Sequence, residues 1–152
     1  MPDWSKGRGL LGPLKPLVGD WVTVPDGAGQ GPASAARCTR SFRAFGARWI
    51  QLEACWEMGG RGNYREIALF GATADDGLGV FSFTNDGKRS EGRVADGTDV
   101  HPDAVAFVSQ MPAGLARMVY WPIDTSPGFH FAVESRTKSG WNRFLRHCYR
   151  PA

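Results

Sequence analysis

The sequence predicts an all-β chain: an antiparallel up-and-down β-barrel of about ten strands, with a short N-terminal helical segment. Three observations carry this expectation. Gly and Pro supply 30 of the 152 residues with no collagen-like period, a density of turn formers that cuts the chain into short segments. Turn signals recur roughly every 8–12 residues and almost no stretch has a helical period. The links between successive segments are short, which makes neighbours into hairpins. A long meander removes its open edges best by closing on itself.

The elements follow in order. In PDWSKGRGLLGPLKPLVGDW, Pro13 and Pro16 bar a long helix, so a short helical turn around Leu10 to Leu17 leads into a strand at Trp21. VPDGAGQGPA, from Val24 to Ala33, reads as a flexible loop. SAARCTRSFRAF is the next strand. In RWIQLEACWEM, Ile50, Leu52, Ala54, Trp56 and Met58 alternate with Trp49, Gln51, Glu53, Cys55 and Glu57, a period of two over a full strand. NYREIALFG follows a Gly-rich bend, and Ala74 to Gly77 turn the chain into LGVFSFTN. The Asp86-Gly87 pair in NDGK is a hairpin signal joining VFSFT to RSEGRVA. DGTDVHPD leads to AVAFVSQ, MPAG to LARMVYW, DTSPG to FHFAVES, and TKSG to the last strand, WNRFLRHCYR.

The bend MGGRGN invites a phosphate-loop reading, because Gly-rich turns with a basic residue cradle anions at the start of a helix. The context excludes it. A convincing strand precedes the bend, a strand-like segment follows, and neither a Lys-Ser/Thr pair nor G-x-G-x-x-G is present. Gly59, Gly60 and Gly62 instead supply the positive φ of a rim connection. Arg61 on that rim either meets an acidic group or faces water.

The length suits one domain, residues 1–152, with one core. A net charge of +3 is too small to argue for a nucleic-acid partner. The basic residues Arg136, Lys138, Arg143, Arg146 and Arg150, interleaved with Trp141, Phe144 and Tyr149, read as a solvated strand face. Cys38, Cys55 and Cys148 are odd in number and lack a C-x-x-C pair, so neither a disulfide framework nor a zinc site is expected. The start lacks the order of a signal peptide, and no run approaches the ~20 apolar residues of a membrane span. A cytoplasmic protein is expected, with a homodimer compatible with the sequence.

Several segments carry a family resemblance: the opening Val18-Gly19-Asp20-Trp21, then Phe45-Gly46-Ala47-Arg48-Trp49, EIALFG, FSFTNDGKRSEG and the closing FHFAVESRTKSGWNRFLRHCYRP. Across nearly the whole chain they resemble small bacterial lipocalin-like proteins of the calycin type, akin in architecture to lipocalins, fatty-acid-binding proteins and nitrobindins. The resemblance implies a closed barrel with an internal cavity and no defined reaction. It also raises haem, since nitrobindin-type barrels bind haem through a histidine near the C-terminus and His147 has a similar place. The Trp-x-Gly-x-Gly run of those barrels is absent, because VTVPDG follows Trp21.

The expected function is therefore binding of a small apolar or amphipathic ligand, as carrier or sensor, with no cofactor outside the haem alternative. The expected wall comprises Trp56, Met58, Phe81, Phe83, Phe107, Met118, Tyr120 and Phe131. The expected polar contacts are Tyr64, Glu66, Glu134 and Arg143, since pockets combine an apolar lining with a few orienting polar groups. A core simply filled by these rings is the competing reading. Alternation is ambiguous in NYREIALFG and WNRFLRHCYR, and in FHFAVES it turns Phe129, Phe131 and Val133 inward but Glu134 outward. An enzyme in the same cavity is the further alternative, although His101 and His130 lack a nucleophile context and no catalytic residue is assigned.

Overall fold

The computed structural model describes residues 4–24, 37–57 and 62–152. Met58, Gly59, Gly60, Arg61 and most of the loop expected at Val24 to Ala33 lie outside the described residues. A 3-10 helix, η1 (Gly12–Leu17), is followed by ten strands. These are β1 (Gly19–Thr23), β2 (Arg37–Phe45), β3 (Trp49–Glu57), β4 (Asn63–Ala72) and β5 (Leu78–Thr84). Then come β6 (Arg89–Ala95), β7 (Val105–Met111), β8 (Gly114–Pro122), β9 (Phe129–Thr137) and β10 (Gly140–Pro151). Each strand pairs antiparallel with its sequence neighbour, and β1 closes the ring against β10. The predicted class, strand number, meander order and N-terminal helical turn all hold. Among the described residues, no helix is long and apolar enough to cross a membrane.

Two-residue alternation sorts each strand into an inner and an outer face. On β3, Ile50, Leu52 and Ala54 point inward, opposite Phe70, Ala68 and Glu66 of β4. On β2 the inner set is Cys38, Arg40 and Phe42, all buried. Phe42, Phe70, Phe107, Tyr120 and Phe129 are each at most 1% exposed, and successive ring pairs among them lie 5.1–6.5 Å apart, edge-on or tilted. Aromatic pairs at such angles gain beyond their area burial.

η1 closes this packed end. Pro13 and Pro16 keep it short, and its Leu14 and Leu17 are fully buried against the core. Two indole N–H groups tie the plug down: Trp21 Nε1 donates to the Leu17 carbonyl at 2.7 Å, and Trp4 Nε1 to the Asp103 carbonyl at 3.0 Å. Gly128, at φ +130°, enters β9 where a Cβ would run into the Tyr149 carbonyl, so a side chain is barred there on two counts.

One sequence expectation about faces is corrected, and one strand whose phase the sequence left open is resolved. Phe81 and Phe83, expected on the cavity wall, lie on the outer surface, with Phe83 53% exposed. The β4–β5 register decides this: Ala68 opposes Ser82 and Phe70 opposes Val80, so the inner face of β5 carries Val80 and Ser82. Phe81 packs edge-on against Trp49 at 6.0 Å, and Phe83 opposes Ile67 on the outside. The strand left open is β10. A bulge between Arg143 and Leu145 leaves Phe144 unpaired and 49% exposed. One extra residue reverses the alternation, so Leu145, His147 and Tyr149 face inward while Trp141 no longer shares their side.

Candidate functional site

The interior is packed at the η1 end and open at the other. Near the ends of β3, β5, β7 and β9 lies a cavity of about 200 Å³. Trp56, Tyr64, Glu66, Ser82, Ser109, Met118, Phe131 and Val133 line it, with Thr84, Lys88, Arg89 and Met111 towards the mouth. Trp56 and Tyr64, opposite one another on β3 and β4, stack in parallel with ring centres 4.9 Å apart. Among the described residues, Trp56 Nε1 and Ser109 Oγ of the lining are buried without a hydrogen-bond partner.

Glu66 forms the polar floor. The Ser82 hydroxyl donates to its Oε2 at 2.5 Å, and its Oε1 lies 3.6 Å from Arg40 Nη2. Arg40 is 1% exposed. Its Nη2 donates to the Tyr120 hydroxyl at 3.0 Å, and its guanidinium sits 4.1 Å above the Phe131 ring. Nε and Nη1 are buried without partners within hydrogen-bond geometry. Burial pulls the Arg40 pKa down, yet Tyr120, Tyr149 and Glu66 together outweigh this and hold it above its ordinary value. The guanidinium is therefore charged at every pH the fold survives. Burial pushes the Tyr120 and Tyr149 phenols up, so both stay neutral donors and acceptors.

Sequence reasoning missed Arg40, although the signal was present. Cys38, Arg40 and Phe42 share one phase of β2, and Arg37, Thr39, Ser41 and Arg43 share the other. Across the sheet Arg40 opposes Ala54, and Ala54 opposes Glu66. The small alanine between them leaves room for two long side chains to meet over it.

The expected site residues divide four ways. Trp56, Tyr64, Glu66, Met118 and Phe131 line the cavity. Phe107 and Tyr120 point inward but belong to the packed half. Met58 lies outside the described residues. Glu134 and Arg143, expected as polar ligand contacts, are on the outer face with Phe81 and Phe83. Glu134 is nevertheless buried, because a second cluster covers it. Arg117, 2% exposed, donates through Nε to Glu134 at 2.9 Å and through both terminal nitrogens to Asp99 at 2.8 Å. Arg143 donates to the other Glu134 oxygen at 3.1 Å. Trp141 lies against Arg117 and Trp121 against Arg143, at 4.7 and 4.9 Å. Alternation forces this placement: Arg117 and Glu134 oppose each other between the inward pairs Ala116–Ser135 and Met118–Val133.

Haem does not fit this interior. His147 is buried and faces inward, but its neighbour is the Tyr149 hydroxyl, 3.5 Å from Nδ1, and it is not among the residues lining the cavity. The space itself falls below the ~300–1,000 Å³ of drug-sized pockets, and a macrocycle is larger than most such ligands. Among the described residues, no group of three His, Cys, Asp or Glu is placed to hold a metal ion.

Cys38 shares the packed half. Desolvation pushes its thiol up to about 12, whereas Cys55 and Cys148 are half-buried. The thiolate is the nucleophile. Native protein at pH 8 is thus expected to take up iodoacetamide at Cys55 and Cys148 before Cys38, with Cys38 reacting once denaturant is added. Peptide mass mapping checks this, and early labelling of Cys38 contradicts its burial.

The chain's closed, ten-stranded antiparallel meander is consistent with a calycin-like fold. No family model matches the chain, and no curated protein matches it.

Proposed function

We propose that the protein binds a small amphipathic molecule in the open half of the barrel and acts as its carrier or sensor. The observation that carries this is the lined cavity of about 200 Å³ with two unpartnered polar atoms, in a barrel whose other half is packed. Buried polar groups are rarely left unpaired, so a cavity that holds two of them is suited to a guest, water or ligand. Size narrows the guest. An apolar cavity of about 150 Å³ takes up benzene, so this one suits one ring or two rather than an extended acyl chain. The resemblance to lipocalin-like proteins supports the same reading, since that architecture encloses its ligands.

Native mass spectrometry of protein purified without denaturant is expected to show a small adduct lost on activation. Titration with one-ring compounds is expected to shift the Trp56 indole N–H resonance saturably. A protein that carries no adduct and shows no saturable shift with any such compound at millimolar concentration does not have this function.

A further inference from the structure

We infer that the cavity selects an uncharged ring compound that both donates and accepts a hydrogen bond, of the phenol or lactam kind, with its donor on Glu66 and its acceptor on Trp56 Nε1 or Ser109 Oγ. This rests on the cavity being the binding site.

The floor of the cavity is charge-balanced. The Glu66 carboxylate lies 3.6 Å from the Arg40 guanidinium, and both are largely out of water. An anionic guest on the floor would approach the Glu66 carboxylate, with Lys88 and Arg89 as counter-charges only at the mouth, where both side chains are exposed to water. A cationic guest would compete for a charge that Arg40 already neutralises, with Lys88 and Arg89 among the residues lining the space. Either ion would lose its hydration without a dedicated counter-charge. A neutral guest avoids both costs.

The hydrogen-bonding groups are complementary to such a guest. A carboxylate offers about four lone-pair positions; among the described residues Glu66 accepts a hydrogen bond from Ser82 at 2.5 Å and faces Arg40 at 3.6 Å. Glu66 therefore remains an acceptor facing the cavity. Trp56 Nε1 can only donate, and it has no partner. Ala54 opposes Glu66 and Trp56 opposes Tyr64, so Trp56 and Glu66 are diagonal neighbours on adjacent strands, about 7–8 Å apart along the backbone. One molecule with a donor and an acceptor can meet both. Ser109, 4% exposed on β7, adds a hydroxyl of either sense from another wall, its Oγ seated over Gly92 opposite it, where a Cβ would come within 2.5 Å. The parallel Trp56–Tyr64 stack, with Phe131 and Met118, supplies faces for a flat ring.

Calorimetric titration of the full chain at pH 7 with phenol, toluene, benzoate and benzylamine tests this. Phenol is expected to bind about tenfold tighter than toluene, the worth of one or two net hydrogen bonds, with benzoate and benzylamine weaker than phenol. Trp56→Phe keeps a ring but removes the donor. Ser109→Ala removes a buried hydroxyl that lacks a partner, and is expected to keep the fold and raise Tm. The variant that removes the donor in use is expected to reduce the phenol-over-toluene ratio with little change in toluene affinity. Equal binding of phenol and toluene, or a ratio unmoved in both variants, overturns this inference and leaves the cavity reading standing. Tightest binding of benzoate or of benzylamine overturns it too. If no probe binds, both readings fall.

Discussion

Exchanging Glu66 for Gln is expected to lower the unfolding free energy by about 3 kcal/mol, and adding Arg40→Met is expected to recover most of that loss. The single change strips the counter-charge from a guanidinium that is 1% exposed and, among the described residues, has two nitrogens without a partner in hydrogen-bond geometry. A cation so placed cannot shed its proton, so its desolvation stands uncompensated. Methionine is unbranched and fills the slot over Phe131 without any charge. Arg40→Met alone is the milder change, costing about 1–2 kcal/mol, because Glu66 keeps the Ser82 hydroxyl and borders a cavity that admits water. Urea titrations of the four proteins at pH 7 give the coupling energy, expected at about 3 kcal/mol in favour of the pair. The contact of Arg40 with the Phe131 and Tyr120 rings is the competing source of stability. If the rings suffice, Glu66→Gln costs less than 1 kcal/mol, a margin on the order of one cation–π contact, and Glu66 is then no counter-ion.

This interior pair also marks where the sequence stopped being legible. Strand positions were readable because turn chemistry is local: Asp-Gly at Asp86-Gly87 and the proline-bounded η1 need only neighbours in the chain. Closure followed from the same local signals, since ten short antiparallel segments leave few other ways to hide their edges. Faces were readable only where one phase of a strand is plainly apolar, as in β3. In β5, a count of hydrophobic atoms favours Phe81 and Phe83 over Val80 and Ser82 as the inner set. The neighbouring strand overrides that count, because β4 turns Glu66, Ala68 and Phe70 inward and the register carries Ser82 in with them. In β10 a single bulged residue, Phe144, reverses the phase midway, and no composition signal announces it.

The candidate site was legible to the same depth. Trp56, Met118 and Phe131 emerged as members of apolar faces, Tyr64 and Glu66 as polar groups on a strand of ambiguous phase, and all five line the cavity. Arg40 and Ser109 did not, because a polar residue on an inner face reads as an error of phase until its partner is known. Glu134 and Arg143 were named for their chemistry, and their chemistry is used, but outside the barrel. The strand pair that turns Met118 and Val133 into the cavity must turn Arg117 and Glu134 away from it.

That outer cluster sets the second large effect. Arg117→Met is expected to destabilise the protein by about 3 kcal/mol, with Arg117→Lys restoring less than half. The guanidinium reaches two carboxylates at once, Asp99 through both terminal nitrogens and Glu134 through Nε. An ammonium is a point donor and cannot reproduce that fork. Asp99 is half exposed and returns to water at little cost, so the penalty concentrates on Glu134, which is 4% exposed and left with Arg143 alone. Added salt is expected to change this loss little, since a buried pair is screened far less than a surface one. Acid acts on the same contact. The hydrogen bonds from Arg117 hold the Asp99 carboxyl below its ordinary value of 3.8. A depressed folded pKa contributes stability that is complete above the unfolded value and is lost as pH falls through the folded one. Asp99→Asn is therefore expected to flatten the fall in stability below about pH 4, while phenol affinity at pH 7 stays unchanged. Denaturation curves from pH 2 to 7 check the first, calorimetry the second. Asp20, Asp75, Asp86 and Asp96 are depressed as well and keep part of the slope, so an acid slope as steep in Asp99→Asn as in the unchanged protein would place its origin with them alone. A changed ligand affinity in the folded variants would mean that the outer cluster and the cavity are coupled through β8 and β9, against the separation that strand alternation imposes.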